Sequence, residues 1–266
     1  MIPKIIHFVW VGDQPKSSLV LKCIASWKKY LPDYKIIEWN DEAFLKLSNQ
    51  YARQAYENRK WAFVSDYLRL YALKKYGGFY FDSDLEITAD ISQFRNLDFV
   101  SGYELYKEKA FPITALMGAV AGQRIISDLY EFYEDASFIS TDGLDMTTNT
   151  ARISGYFEKT FGLKGPYDGE VLNEFGPAEK IYPYGFFCTP SNHHENYAIH
   201  HFGGSWVDGY IRKKIFSVGR LSLMKFKKVS SVDTKPLPLL ADESLVFKFS
   251  RNQMRVYGLV FSLKTK

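Results

Sequence analysis

Eight consecutive residues constrain this chain more than any others: Gly77-Gly78-Phe79-Tyr80-Phe81-Asp82-Ser83-Asp84. Three aromatic side chains between a glycine pair and two carboxylates read as a short buried strand. The acidic pair must then emerge at the carboxyl end of that strand. Upstream, Trp61 to Tyr76 keeps Phe63, Tyr67, Leu70, Tyr71 and Leu73 at helical spacing. Gly77-Gly78 ends this helix, because glycine enters the left-handed region without steric cost. Helix, tight turn, buried strand and acidic exit form the first fixed part of the fold.

The amino-terminal segment supplies a second part. Ile5-Ile6-His7-Phe8-Val9-Trp10, closed by Gly12-Asp13, reads as a buried first strand. Ser17 or Ser18 caps a helix to about Tyr30, with Leu19, Cys23 and Trp27 on one face, and Pro32 stops it before a second strand, Lys35 to Trp39. This βαβ opening predicts an α/β fold with a mixed, mostly parallel sheet flanked by helices, in which ligands meet the carboxyl ends of the strands. Further strands are expected at Asp98 to Tyr103 and Ile113 to Val120, and helices at Gln123 to about Asp135 and within Thr147 to Phe161. A last apolar stretch, Tyr197 to Phe202, runs into Gly203-Gly204-Ser205-Trp206.

With 266 residues, 46% hydrophobic and 17% aromatic, the chain has the apolar content for a large core, which excludes a disordered or collagen-like polymer. Cys23 and Cys188 are too few for a disulfide framework and read as reduced packing residues. No apolar run approaches the roughly 20 residues of a membrane span, and the opening lacks the pattern of a signal peptide, so a cytoplasmic location is expected. Charge is unevenly spread. Residues 210–266 hold 13 Lys and Arg against 3 Asp and Glu, ten positive charges in excess, leaving six negative charges in excess on residues 1–209. The division expected is a main domain, 1–209, and a basic helical extension, 210–266. That extension is either a solvated helix or a contact for an anionic partner, lipid head groups or nucleic acid.

Chemistry concentrates in three places. Asp82 and Asp84, one residue apart at a strand exit, suit a hard divalent cation, which would relieve their mutual repulsion and bridge them to a diphosphate. Asp66 and Arg69 stand at i and i+3 on the preceding helix: a surface ion pair worth about 0–1 kcal/mol, or a pair delivered to the acidic pocket to bind hydroxyls or phosphate. His200-His201-Phe202-Gly203-Gly204-Ser205-Trp206 offers an imidazole for a cation and donors on a flexible loop. His193-His194 read as loop residues, and Trp10 as core or a platform for a base.

Together, Ile2-Pro3-Lys4-Ile5-Ile6-His7-Phe8-Val9-Trp10-Val11-Gly12, Ser65-Asp66-Tyr67-Leu68-Arg69 through Asp82-Ser83-Asp84, and His200-His201 to Ser205-Trp206 resemble glycosyltransferase family 32. That family includes bacterial capsular and lipopolysaccharide sugar transferases and fungal mannosyltransferases, and is related to the catalytic domains of clostridial glucosylating toxins. The resemblance covers roughly residues 1–210. It implies a GT-A-type, Rossmann-like fold, a nucleotide-sugar donor (UDP with galactose or glucose favoured), a divalent cation (Mn²⁺ or Mg²⁺) and retention of anomeric configuration. By position, Val9, Trp10, Asp66, Arg69, Asp82, Ser83, Ser205 and Trp206 would contact the donor, with Trp10 on the base. Asp66, Arg69, Asp82 and Asp84 would form the catalytic group, and Asp82, Asp84 and His201, or else His200, would bind metal. The expected partners are the nucleotide sugar, a saccharide acceptor carried on a lipid, and an anionic membrane surface for residues 210–266 at the inner face of the cell membrane, with no nucleic acid. Two other readings of Asp82-Ser83-Asp84 are a haloacid-dehalogenase-like phosphohydrolase with Asp82 as nucleophile and a non-catalytic carbohydrate-binding protein. The first leaves the Ile-Pro-Lys opening unexplained, and the second leaves the acidic pair and the histidines without a role.

Overall fold

The computed structural model describes residues 1–12, 14–113, 115–141, 143–203, 210–228, 237, 243–252 and 255–263. It separates into two compact units, residues 1–202 and 203–266.

The first unit opens with β1 (Ile5–Val9), α1 (Ser18–Tyr30), β2 (Lys35–Trp39), α2 (Asp41–Leu45), α3 (Gln50–Glu57), α4 (Trp61–Tyr76), β3 (Gly78–Phe81) and β4 (Leu85–Ile87). After a 3-10 turn come β5 (Phe99–Gly102), β6 (Glu104–Tyr106), β7 (Lys109–Phe111), β8 (Leu116–Ala119), α5 (Arg124–Glu131), β9 (Ile139–Ser140), β10 (Gly143–Leu144) and α6 (Asn149–Phe161). It closes with β11 (Asn173–Gly176), β12 (Glu179–Tyr182), α7 (Tyr184–Phe187) and β13 (Ala198–His200). Helix α1 starts where expected because the Ser17 side chain accepts from the Val20 N–H, and Thr148 does the same for α6 through Ala151.

Seven strands form the central sheet in the order β11-β12-β5-β8-β3-β1-β2. Strand β1 pairs in parallel with β2 and β3, and β5 with β12; β8 runs antiparallel to β3 and β5, and β11 to β12. The sheet is therefore mixed, with its parallel ladder on the βαβ side that the sequence announces. Alternation divides the core. Ile6, Phe8, Phe79 and Phe81 pack on the α1 side with Trp27, whereas Val9 and Tyr80 face α4 and its Val64, Leu68 and Leu73. Cys23 and Cys188 are buried free thiols, and burial pushes the Cys23 thiol up to about 12, which makes it a packing residue.

The turn between α4 and β3 needs both glycines. Gly77 and Gly78 have φ of 63° and 103°, and a Cβ on them would lie 2.7 Å from the Ala121 nitrogen and the Ile5 carbonyl oxygen respectively. His7, fully buried in β1, fastens this turn: its Nε2–H donates to the Gly77 carbonyl (2.9 Å) while Nδ1 accepts from the Trp39 indole N–H (3.2 Å). Both ring nitrogens are satisfied only by the neutral imidazole.

Residues 210–266 depart from expectation. Their described part is not a basic helix but a four-stranded antiparallel sheet, ordered β14-β15-β17-β16, from β14 (Tyr210–Val218), β15 (Leu221–Lys228), β16 (Glu243–Asn252) and β17 (Arg255–Ser262). The charge count obscured a period of two. Val256, Gly258 and Val260 alternate with the more exposed Arg255, Tyr257, Leu259 and Phe261, and Met224 and Phe226 are buried on β15. Alternating β-branched and aromatic residues suit a pleated surface and overrule the lysines. Among the described residues, no helix is long and apolar enough to cross a membrane.

The His7 fastening makes stability depend on pH. Burial, opposed by the Gly77 hydrogen bond, lowers the His7 pKa from 6.5 to about 4. An unfolded chain therefore takes up this proton first: the contribution is whole above pH 6.5 and lost as pH falls through about 4. Between pH 7.5 and 5.0 it should fall by about 2 kcal/mol. Urea unfolding at the two pH values checks this. His7→Gln, which keeps a donor and an acceptor but does not titrate, should lose that part of the difference.

Candidate active site

The site grows from the exit of β3. The Asp82 N–H donates to the Ala115 carbonyl (2.8 Å), and its own carbonyl accepts from the Leu85 N–H (3.0 Å), so the acidic triplet forms a tight turn into β4. Alternation puts the Asp82 side chain on the same side as Tyr80, facing α4. There the Tyr80 hydroxyl donates to Asp82 Oδ1 at 2.8 Å and meets Ser65 Oγ at 2.7 Å. Arg69 Nη2 lies 3.1 Å from the same Asp82 oxygen and 3.2 Å from Asp66 Oδ1, with its guanidinium 4.5 Å from the Tyr80 ring centre.

Asp66 and Arg69 are only 7% and 8% exposed, which removes the surface-pair alternative. One guanidinium faces two carboxylates. Burial pushes Asp66 up to about 6 despite Arg69. Burial also opposes the charge of Arg69, but Asp82, Tyr80 and Asp66 together hold it above its ordinary range.

The histidines arrive by a pairing remote in sequence. Strand β13 lies antiparallel to β4 with His200 opposite Leu85, and the His201 N–H donates to the Asp84 carbonyl at 3.1 Å. This brings His200 Nε2 to 3.5 Å from Asp84 Oδ1. His201, favoured above as the metal residue, turns away: its Nε2 lies 2.7 Å from Glu86, which also binds Lys22. Successive residues of an extended segment face opposite ways, so only one of the two histidines can meet the acidic turn. Burial acts to lower the His200 pKa, but hydrogen bonding to Asp84 and the carboxylate charges outweigh it and raise it to about 11. Glu104, on β6, stands 3.9 Å from His200 Nδ1, and burial pushes it up to about 7.

Asp82, Asp84 and His200 each offer a ligand atom, all within 4.8 Å of one another. Two carboxylates and an imidazole fit a divalent cation such as Mg²⁺ or Mn²⁺, and it is His200 Nε2 that faces Asp84. Cation binding would require the neutral imidazole and so release the His200 proton.

Among the other expected contacts, Val9 is buried in the core on the α4 side and Ser83 is half-buried in the acidic turn. Trp10 is partly buried, its indole N–H donating to the Gln14 carbonyl at 2.9 Å. Ser205 and Trp206 lie outside the described residues. His194 meets Glu170 at 3.2 Å, away from the acidic turn.

Two features lay beyond sequence reasoning. A hollow of about 400 Å³ opens beside Gly12, lined by Asp41, Tyr56 and Trp61, at the carboxyl ends of β1 and β2. Asp41 is held there by the Gly12 N–H (2.9 Å) and the Tyr56 hydroxyl (2.5 Å). Behind Asp66, Arg152 of α6 pairs with Asp145, and its guanidinium lies 5.7 Å from the ring centres of Tyr51 and Tyr133. Among the described residues, the enclosed Arg152 Nε has no hydrogen-bond partner. Neither feature carries a motif. Only the βαβ rule, that ligands meet strand ends, pointed towards Gly12.

Residues 17–100 match the family model described as "Glycosyltransferase sugar-binding region containing DXD motif". The matched span runs from α1 into β5 and takes in Asp66, Arg69, Asp82 and Asp84. Among solved structures, one described as "PaToxG Glycosyltransferase" is similar at 20% identity and a TM-score of 0.44, over 60% of this chain and 70% of that one. No curated protein matches the chain. The family match covers about a third of the chain and takes in the Asp82-Ser83-Asp84 triplet, so this region is similar to the glycosyltransferases with a DXD-containing sugar-binding region, which supports a transferase enzyme.

Proposed function

We propose that this enzyme moves a hexose, glucose or galactose, from UDP to a saccharide acceptor in surface polysaccharide or lipopolysaccharide synthesis, retaining anomeric configuration, with Mn²⁺ or Mg²⁺ held by Asp82, Asp84 and His200. The observation that carries it is the convergence of those three side chains beside the buried Asp66–Arg69 pair. A divalent cation bound there would act as a Lewis acid on the diphosphate and favour its departure.

The chain's own groups divide the remaining work. The hollow at Gly12 suits a nucleoside, with Trp61 as an apolar wall and Asp41 as an acceptor for hydroxyl donors. Helix α4 links the two regions, since Asp66 and Arg69 lie about 7 and 12 Å along its axis from Trp61. Asp66 would accept from sugar hydroxyls, and Arg69 would hold Asp82 in place while donating to the donor. Retention and the acceptor class rest on the family resemblance. Asp82 Oδ1 receives both Arg69 and Tyr80, which leaves the second carboxylate oxygen for the cation.

Thermal-shift measurements across UDP- and GDP-sugars, with and without Mn²⁺, should give the largest stabilisation with a UDP-hexose plus cation. Asp84→Asn should lower transfer by at least about 100-fold with the fold intact, as should EDTA on the wild type. Full activity in either case overturns the cation-dependent reading. The anomeric proton coupling of the product, followed by NMR, decides retention.

Tyr80→Phe isolates the support behind the cation site. It removes the donor to Asp82 and leaves the ring under Arg69. Mn²⁺ affinity measured by calorimetry should fall by about 10-fold, while thermal unfolding changes by no more than about 1 kcal/mol. Unchanged affinity would mean that Tyr80 serves packing alone.

A further inference from the structure

The sheet formed by β14 to β17 has a buried apolar centre on one face, flanked by the exposed Lys214 and Lys248, and a largely exposed apolar band on the other. Its register puts Met224, Phe226, Val256 and Val260 on the inner face, where Leu237 and Leu245 pack against them. On the outer face, Phe216, Leu223, Leu259 and Phe247 stand opposite one another in a row across all four strands. A second row aligns Val218, Leu221 and Phe261. Phe216, Phe247 and Val218 are 54%, 59% and 72% exposed, a density of apolar surface that soluble faces avoid.

The next row towards the other end of the strands holds Lys213, Lys225, Tyr257 and Phe249. Lys213 and Lys225 are directly opposite each other, an arrangement that repels unless an anion intervenes. Among the described residues of this face there is no acidic side chain: Glu243 belongs to the inner face, opposite Ser262. The face therefore grades from exposed aromatic and aliphatic rows to a lysine row.

From this arrangement we infer that the outer face of the carboxy-terminal sheet docks on an anionic lipid bilayer, with Phe216 and Phe247 entering the head-group and acyl boundary and Lys213 and Lys225 meeting lipid phosphates. The excess of ten positive charges over residues 210–266 is the charge complement of such a surface, and apolar burial with electrostatic attraction suffices for reversible attachment without a spanning segment. Attachment of this kind would hold the enzyme where acceptors carried on lipid are found. It does not depend on the donor or the cation.

Flotation of the full chain with vesicles tests it. Wild type should float with phosphatidylglycerol-containing vesicles at low salt, not with pure phosphatidylcholine, and should be released as salt screens the attraction. Lys213→Glu with Lys225→Glu, and separately Phe216→Ser with Phe247→Ser, should each reduce the bound fraction at least about 10-fold. Lys28→Glu with Lys159→Glu, the same charge change on exposed residues of the first unit, should leave it unchanged, and unfolding curves report whether each variant is folded. Failure of wild type to float with anionic vesicles overturns the inference. So does equal loss in the Lys28 and Lys159 variant, which would indicate unspecific charge. A dimer in sedimentation that Phe216→Ser with Phe247→Ser dissociates would also overturn it, the face then being covered by a second copy.

Discussion

A single buried guanidinium organises the centre of this enzyme. Arg69 lies between Asp66, on its own helix, and Asp82, at the exit of β3, and sits over the Tyr80 ring. Charges so enclosed are costly, and removing one partner of such a set strands the others at about 3–5 kcal/mol. The arrangement is therefore all or nothing. Helix α4, the Gly77-Gly78 turn and β3 must keep their relative positions for the charges to be satisfied. The same positions aim the acidic turn at His200.

The fastening of the turn explains why β1 contributes a polar residue to an otherwise apolar strand. His7 joins β2, through Trp39, to the end of α4, through the Gly77 carbonyl. A neutral imidazole that donates from one nitrogen and accepts at the other bridges two neighbours that no aliphatic side chain could join. Packing on either side of the sheet then separates the duties of the strands. Phenylalanines 79 and 81 fill the α1 side, while Tyr80 and Asp82 between and beyond them carry polar groups to the α4 side.

The two units show different relations between charge and fold. In the first, buried charges are matched within the molecule and form the candidate site. In the second, lysines lie on an open sheet face beside exposed aromatic rows, and net charge said nothing about secondary structure. A run of lysines is compatible with a helix face or with one side of a strand. The alternation of Val256, Gly258 and Val260 with more exposed neighbours was the decisive signal, and it was present in the sequence.

By itself, the sequence determined the local elements with strong periodicity or punctuation: α1 with its Ser17 cap, β2, α4 over Trp61–Tyr76, and β3 ending in acid. These depend on neighbours within a few residues, and propensity, capping and glycine conformation are expressed at that range. The nearness of Asp66 and Arg69 to Asp82 was legible too, because one short turn joins helix to strand. Whether His200 or His201 meets the acidic turn was not, since the register of β13 on β4 is set across more than a hundred residues. Glu104, Arg152 and the hollow at Gly12 likewise have no local signature. Long-range pairing and packing bring such groups together, and those are decided only when the whole core closes.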